Sequence, residues 1–271
     1  VGEQEAFDVK SSTSNSNVTG GTLEIIPVTG TILADAANFR INTNIPLYNM
    51  VINRLSSSSV VEMSSVLMLQ NHLSITSGSL NANNYDLTIG GNLSFENGTT
   101  YIPGTNTTIL NGGANQVFTF NLASALSLFK FTIAKPAGVS VTLAGSQNTL
   151  NITNNFNLTL GTINDAGKMI NVAGNIYNSG IHAGTGAFVL NGTNAQTIDG
   201  AGVFQNVTLN NTNAATAPVS LLARITINGI LTFSNNKLFN IGIYNLLLNS
   251  SASITGSGSS RYIQTAGNAG D

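Results

Sequence analysis

The chain has 271 residues, of which 7% are charged, with a net charge of −2, no cysteine and no tryptophan. The missing cysteine excludes disulfides, thiolate-bound zinc and thiol catalysis, and the lack of any basic run argues against a nucleic-acid interface, which needs clustered Lys and Arg. No apolar run approaches the ~18 residues of a membrane-spanning helix.

An average soluble chain carries roughly 25% charged residues, so here the polar surface falls to Asn, Thr, Ser and Gly. Thr favours strands, and Asn, Gly and Ser favour corners, while the helix formers Glu, Lys and Arg are scarce. The composition predicts an all-β protein.

Residues 1–20 stand apart. Glu3, Glu5 and Asp8 are three of only 11 acidic residues, and 11–17 is a Ser/Asn/Thr tract. This stretch reads as a linker or an N-terminal cap. The chain opens on Val1 without an initiator Met or a signal pattern, which reads as a mature product or an internal fragment.

From Leu23 a repeat takes over. Its clearest instance is RITINGILTF, Arg224 to Phe233, two short strands joined by an Asn-Gly corner. Ile225 and Ile227 face one way and Thr226 the other. Relatives are LTIGGNLSF from Leu87, LNITNNFNLTL from Leu150 and INVAGNIYN from Ile170. One strand centre per turn is marked at Ile32, Val51, Met68, Thr88, Ile109, Thr132, Asn151, Ile170, Val189, Thr208, Thr226 and Leu247. The steps between them run from 17 to 23 residues, with a mean near 20. Repeats of that period mean solenoids, propellers or arrays.

A longer period lies on top. TILNGGANQ, Thr108 to Gln116, matches FVLNGTNAQ, Phe188 to Gln196, and more loosely the stretch Thr31 to Asn38. The aligned Leu33, Leu110 and Leu190 lie 77 and 80 residues apart. Three immunoglobulin-like sandwiches would also give such a unit. They call for a larger aromatic core and for linkers, and leave the shorter period unexplained. The expectation is therefore a single-stranded parallel β-helix over 21–271, about twelve coils of ~20 residues in three superunits of ~80, continuing beyond the C-terminus. Leu, Ile, Val and Phe stack inward, and the outward Thr88, Thr132, Thr208 and Thr226 line a polar face. Corner Asn takes left-handed backbone or bonds its own turn. The stretch 122–129 is the one place expected to form a helical turn. Arg261 to Gln264 reads as a last strand, whose open edge calls for a further rung or a cap.

Parallel β-helices include polysaccharide lyases and hydrolases, whose sites need converging carboxylates or a carboxylate beside Lys or Arg. Glu24, Asp35, Glu62, Asp86, Glu96, Asp165 and Asp199 are spread along the coils. The best cluster, Asp86 with Asp165 and Lys168, is predicted to span four coils, roughly 20 Å, too far for a two-carboxylate mechanism. His72 and His182 have no partner pattern and read as surface or satisfied corner residues. Gly90-Gly91 and Gly112-Gly113 lack the helix and GK[ST] of a phosphate loop and read as corners. Asn-x-Ser/Thr triplets, at Asn92, Asn97, Asn106, Asn151, Asn191 and Asn206 among others, follow from composition and predict no glycosylation. The strand centres are too irregular for a flat ice-binding Thr ladder. The six tyrosines share no repeat position on which sugars could stack. No catalytic, cofactor-binding or metal-binding residue is expected, and no enzyme.

NHLSITSGSLNANNYDLTIGGNLSF (Asn71 to Phe95), FQNVTLNN (Phe204 to Asn211), RITINGILTF and SASITGSGSSRYIQTAG (Ser251 to Gly267) resemble the repeats of very large secreted surface proteins of Bacteroidota. These are adhesin-like and gliding-adhesin-like cargo of the type IX secretion system, and the resemblance spans nearly all of 20–271. It implies an extracellular, cell-surface protein whose β-helix is a stalk or an adhesive surface, exported by that machinery. It implies no catalytic residues. The C-terminal sorting domain of full-length cargo is not among these residues. A non-catalytic carbohydrate-binding module is the alternative, and a polysaccharide lyase or hydrolase the third reading.

Overall fold

The fold is that of a computed structural model, which describes residues 6–10, 17–27, 38–235 and 238–266. These hold strands and corners and no helix, and all their strand pairings are parallel apart from one isolated bridge between Gly258 and Arg261. The protein is a β-solenoid, as the composition and the repeat predict. Its residues form two compact units, 1–130 with 141–147, and 131–140 with 148–271.

In the first unit one coil runs through three strands, Leu87–Ile89, Leu93–Phe95 and Thr100–Ile102, each in a different sheet. The next coil lays Thr107–Leu110 and Gln116–Phe120 on the first two in parallel register. In the second unit a coil formed by Thr162–Asn164, Met169–Val172 and Ile176–Asn178 is followed by Ile181–Ala183, Ala187–Leu190 and Gln196–Asp199, again strand on strand.

Alternation decides what is inside. Leu93 and Phe95 are buried, with half-buried Ser94 between them, and Ile225, Thr226 and Ile227 repeat the pattern. Inward side chains from the different sheets meet in the core. In the second unit Phe131 lies on its register partner Phe156, and Phe188 and Phe204, from two other sheets, continue the row, with centroids 5.8, 4.8 and 5.8 Å apart. Tilted and edge-on rings at that spacing attract beyond their burial, by about 0.5–1.5 kcal/mol a pair.

The corners are held by side chains that reach to the next coil. In the second unit Asn155 Oδ1 accepts the Asn175 N–H at 2.8 Å, and Asn175 Oδ1 accepts that of Thr197 at 2.9 Å. In the first unit the ladder runs from Asn49 to His72 to Asn92 to Val117, with His72 Nδ1 accepting the Asn92 N–H at 2.8 Å in the place of an asparagine. Corner Asn thus works mainly through its side chain. Only Asn83, Asn84 and Ala166 among the described non-glycine residues are left-handed.

Three expectations need correction. The described residues make about ten turns, not twelve. From Thr22 onward paired residues lie 18 to 27 apart, as Met169 with Ala187 and Thr22 with Asn49 show. The chosen strand centres change sheet: Val51 and Met68 belong to different sheets, Thr132 pairs with Asn157 rather than Asn151, and Thr208 pairs with Thr232 rather than Thr226. Each change shortens a step and inflates the count. For the same reason Thr208 and Thr226 do not share a face. Lastly, 122–129 forms no helical turn; it bends and then enters the strand Leu126–Leu128.

Ala6–Val9, inside the expected linker or cap, pairs with Phe39–Thr43. The loose match at Thr31 to Asn38, and the strand centre Ile32, lie outside the described residues except for Asn38. The expected last strand is present as Tyr262–Thr265, paired with Leu238–Gly242.

Candidate functional site

The densest polar cluster lies inside the second unit. Asp165 follows the strand Thr162–Asn164 and enters a turn in which Ala166 and Gly167 are left-handed, at φ of 51° and 87°. One Asp165 carboxylate oxygen, Oδ1, accepts the N–H of Gly167 at 2.7 Å and of Gly186 at 2.9 Å. The other, Oδ2, lies 2.6 Å from His182 Nε2. His182 Nδ1 accepts the Gln205 N–H at 3.2 Å, so the ring proton sits on Nε2 and is donated to Asp165. Three successive coils are joined in this way.

Burial pushes the Asp165 carboxyl up, but the hydrogen bonds from His182, Gly186 and Gly167 outweigh it and hold the acid below its ordinary range. Gly184 must be glycine, since a Cβ there would lie 2.1 Å from Asp165 Oδ1. His182 also packs edge-on against Phe188, with centroids 4.7 Å apart. Both side chains of the pair are 0% exposed, so no solute reaches them.

Of the residues expected to cluster, Lys168 shares the Asp165 turn, its N–H bonding the Asp165 carbonyl at 3.0 Å, and burial pushes its ammonium below the ordinary lysine range. Asp86 belongs to the first unit, where its Oδ1 accepts the Thr107 N–H at 2.7 Å. His182, expected as a surface or satisfied corner residue, is not at the surface: it is satisfied, and in the core. Its pairing with Asp165 was missed. The available signal was the coil alignment of TINDAG with IHAG, which sets Ile163 beside His182.

The matched motifs ending in Gln116 and Gln196 share one geometry. Gln116 Nε2 donates to the carbonyls of Ile89 and Gly91, and Gln196 Nε2 donates to those of Val172 and Gly174. Each buried amide clamps two carbonyls of the preceding corner, which explains why the motif recurs.

A groove opens in the first unit. The sheet ending in Thr100–Ile102 does not accept the strand Leu126–Leu128 of the following coil, which belongs to a different sheet. The interruption leaves a cavity of about 420 Å³ lined by Asn97, Thr99, Thr100, Ser124 and Ser127 among others, with no charged side chain. Beneath it Tyr101 accepts a hydrogen bond from Asn106 Nδ2 at 2.8 Å and contacts Thr108 Oγ1 at 3.1 Å. Burial pushes its phenol pKa up.

No family model, no curated protein and no solved structure matches the chain. The site must be judged by its own geometry. Among the described residues no three His, Cys, Asp or Glu converge as metal ligands, and no helix is long and apolar enough to cross a membrane. The tyrosines form no row: Tyr101 is buried, while Tyr85, Tyr177, Tyr244 and Tyr262 are partly exposed at separate places.

Proposed function

We propose that the chain is a structural and adhesive segment of an extracellular cell-surface protein, a stalk or adhesion surface built from repeated coils. The observation that carries this reading is where the reactive groups go. Asp165 and His182 saturate each other out of reach of solvent, and Gln116 and Gln196 hold corners together. What faces outward is mostly neutral, such as Ser74 hydrogen-bonded to Ser94 and Asn151 to Asn171 from coil to coil. The resemblance of the repeats to Bacteroidota adhesin-like and gliding-adhesin-like proteins supports an origin at the cell surface, export by the type IX machinery and a setting in cell adhesion or gliding motility.

The first-unit groove favours a second reading, a non-catalytic carbohydrate-binding module. Its hydroxyl- and amide-bearing, uncharged walls suit a neutral sugar unit. The test is to incubate the purified chain with a polysaccharide panel, scoring co-sedimentation and newly formed sugar ends. The structural reading expects neither signal, or binding spread over many glycans. Selective binding abolished by Ser127→Trp would favour the second reading, and new sugar ends above a heat-killed control would overturn both.

A further inference from the structure

The sequence contains four Asn-Gly pairs, at 97–98, 111–112, 191–192 and 228–229. Such a pair can react with itself. The glycine nitrogen attacks the asparagine Cγ, and its proton passes to water. A new N–Cγ bond closes a five-membered imide while the Cγ–Nδ2 bond breaks and the amide nitrogen leaves as ammonia. Water then opens the ring at either carbonyl, giving an aspartyl or an isoaspartyl linkage. The reaction needs the glycine nitrogen free and the intervening peptide able to rotate.

The other three pairs sit in corners: two hold the glycine N–H in a hydrogen bond, and the third packs its glycine against the coil below. The Gly229 N–H donates to the Gln205 carbonyl at 2.8 Å, and the Gly192 N–H donates to Gln196 Oε1 at 2.8 Å. Gly112 presses on the corner below, so that a Cβ on it would lie 1.7 Å from the Gly90 carbonyl oxygen. Rotation at any of them breaks coil-to-coil contact.

The pair Asn97-Gly98 differs on each count. It forms the centre of a β-turn closed by the Thr99 N–H on the Glu96 carbonyl at 3.1 Å, with Gly98 at φ 81°, the pattern of a type II turn. Both residues are exposed, and a Cβ on Gly98 would meet nothing within 4 Å. Among the described residues neither the Asn97 side chain nor the Gly98 N–H has a hydrogen-bond partner. The central peptide can therefore turn without breaking a hydrogen bond of its own.

We propose that Asn97-Gly98 is a site of spontaneous imide formation and deamidation in the folded protein, and that the three corner pairs are protected by the solenoid. The consequence is local and chemical. Asn97 lines the uncharged groove of the first unit, so the reaction installs a carboxylate in its wall.

The full chain is to be incubated for weeks at mildly alkaline pH, folded in buffer and unfolded in urea, then digested. Each Asn-Gly peptide is scored by mass for amide-to-acid conversion and by enzymatic methylation for isoaspartate. In the folded chain Asn97 should convert about tenfold or more faster than the other three, the protection expected where local opening must first break a hydrogen bond. In urea all four should convert at comparable rates, and Asn97→Gln, an exposed change, should abolish only the first signal. An Asn97 that stays an amide in the folded chain while reacting in urea overturns the proposal. So does equal conversion of all four pairs in the folded chain.

Discussion

His182 Nε2 lies 2.6 Å from Asp165 Oδ2, and neither side chain is exposed. The same imidazole accepts a backbone N–H on its other nitrogen, so its tautomer is set and it cannot exchange roles. Asp165→Asn should therefore be severe. If the new amide oxygen faces His182, the NH₂ group meets the Gly167 and Gly186 N–H groups; if it is reversed, NH₂ meets the ring N–H. Either arrangement sets donor against donor in a dry core, at a cost of about 3 kcal/mol. Urea unfolding should register that loss, and a change below about 0.5 kcal/mol, the range of inert surface substitutions, would show that the pair does not hold the coils.

The acid limb of stability follows from the same carboxylate. Its folded pKa is held below that of the unfolded chain, so the group contributes stability fully above the unfolded carboxylate value, about 4. That contribution is lost as pH falls through the lower folded value. Unfolding measured from pH 5 downward should steepen in the native protein and be shallower in Asp165→Asn. Equal slopes would place the acid sensitivity elsewhere.

Lys135 gives the opposite sign at the other end of the scale. It is 2% exposed, and burial pushes its ammonium from 10.5 to about 8. Between those values the unfolded chain binds more protons than the folded one, so stability rises with pH through that window, by at most about 3 kcal/mol. Below pH 8 the gain is absent, and near pH 10 tyrosine ionisation intervenes, so pH 8 to 9.5 is the range to measure. Lys135→Met should flatten the slope there, and an unchanged slope would rule out Lys135 as its source.

How far these features can be read in sequence depends on whether they repeat. The strand-corner-strand unit at Arg224 to Phe233 is visible because burial forces alternation on Ile225, Thr226 and Ile227. The motif ending at Gln116 and Gln196 is visible because a clamped corner needs the same Gly and Gln at the same spacing. Asp165 with His182 occurs once, and its members lie 17 apart while coils vary from 18 to 27, so no fixed offset exposes them. That variation also explains the overcount of turns, since corners absorb extra residues without disturbing the strands. The groove was invisible because a sheet interruption at Thr100–Ile102 leaves no mark on alternation.

The two clamping glutamines should not be equal. Gln196 Oε1 accepts the Gly192 N–H and Asn211 Nδ2, each at 2.8 Å, whereas Gln116 Oε1 has no partner among the described residues. The Val172 and Ile89 carbonyls keep the N–H groups of Asn191 and Asn111, so Gln196→Ala strands the Gly174 carbonyl and two donors, and Gln116→Ala strands only the Gly91 carbonyl. At ~1 kcal/mol or more per buried polar group, the former should cost about 3 kcal/mol and the latter about 1 kcal/mol. Local hydrogen exchange at each corner would rank them, and an equal or reversed order would mean that relaxation, not bonding, controls the cost.

Adjacent glycines in one corner offer the sharpest contrast. A Cβ on Gly112 would fall 1.7 Å from the Gly90 carbonyl oxygen, a backbone atom that no rotamer change can move aside. A Cβ on Gly113 would meet nothing within 4 Å, and its φ lies outside the left-handed region. Gly112→Ala must therefore push two coils apart at the point where Gln116 clamps the carbonyls of Ile89 and Gly91, losing those bonds as well as packing. A loss of about 3 kcal/mol or more is expected there, in the range of overpacking combined with a broken hydrogen bond. Gly113→Ala should stay within about 0.5 kcal/mol of the native protein. Thermal unfolding of both variants, prepared side by side, decides the matter. Similar midpoints would mean that the corner relaxes around an added methyl group, and that the recurrence of Gly in this motif reflects the turn rather than the closeness of the coils.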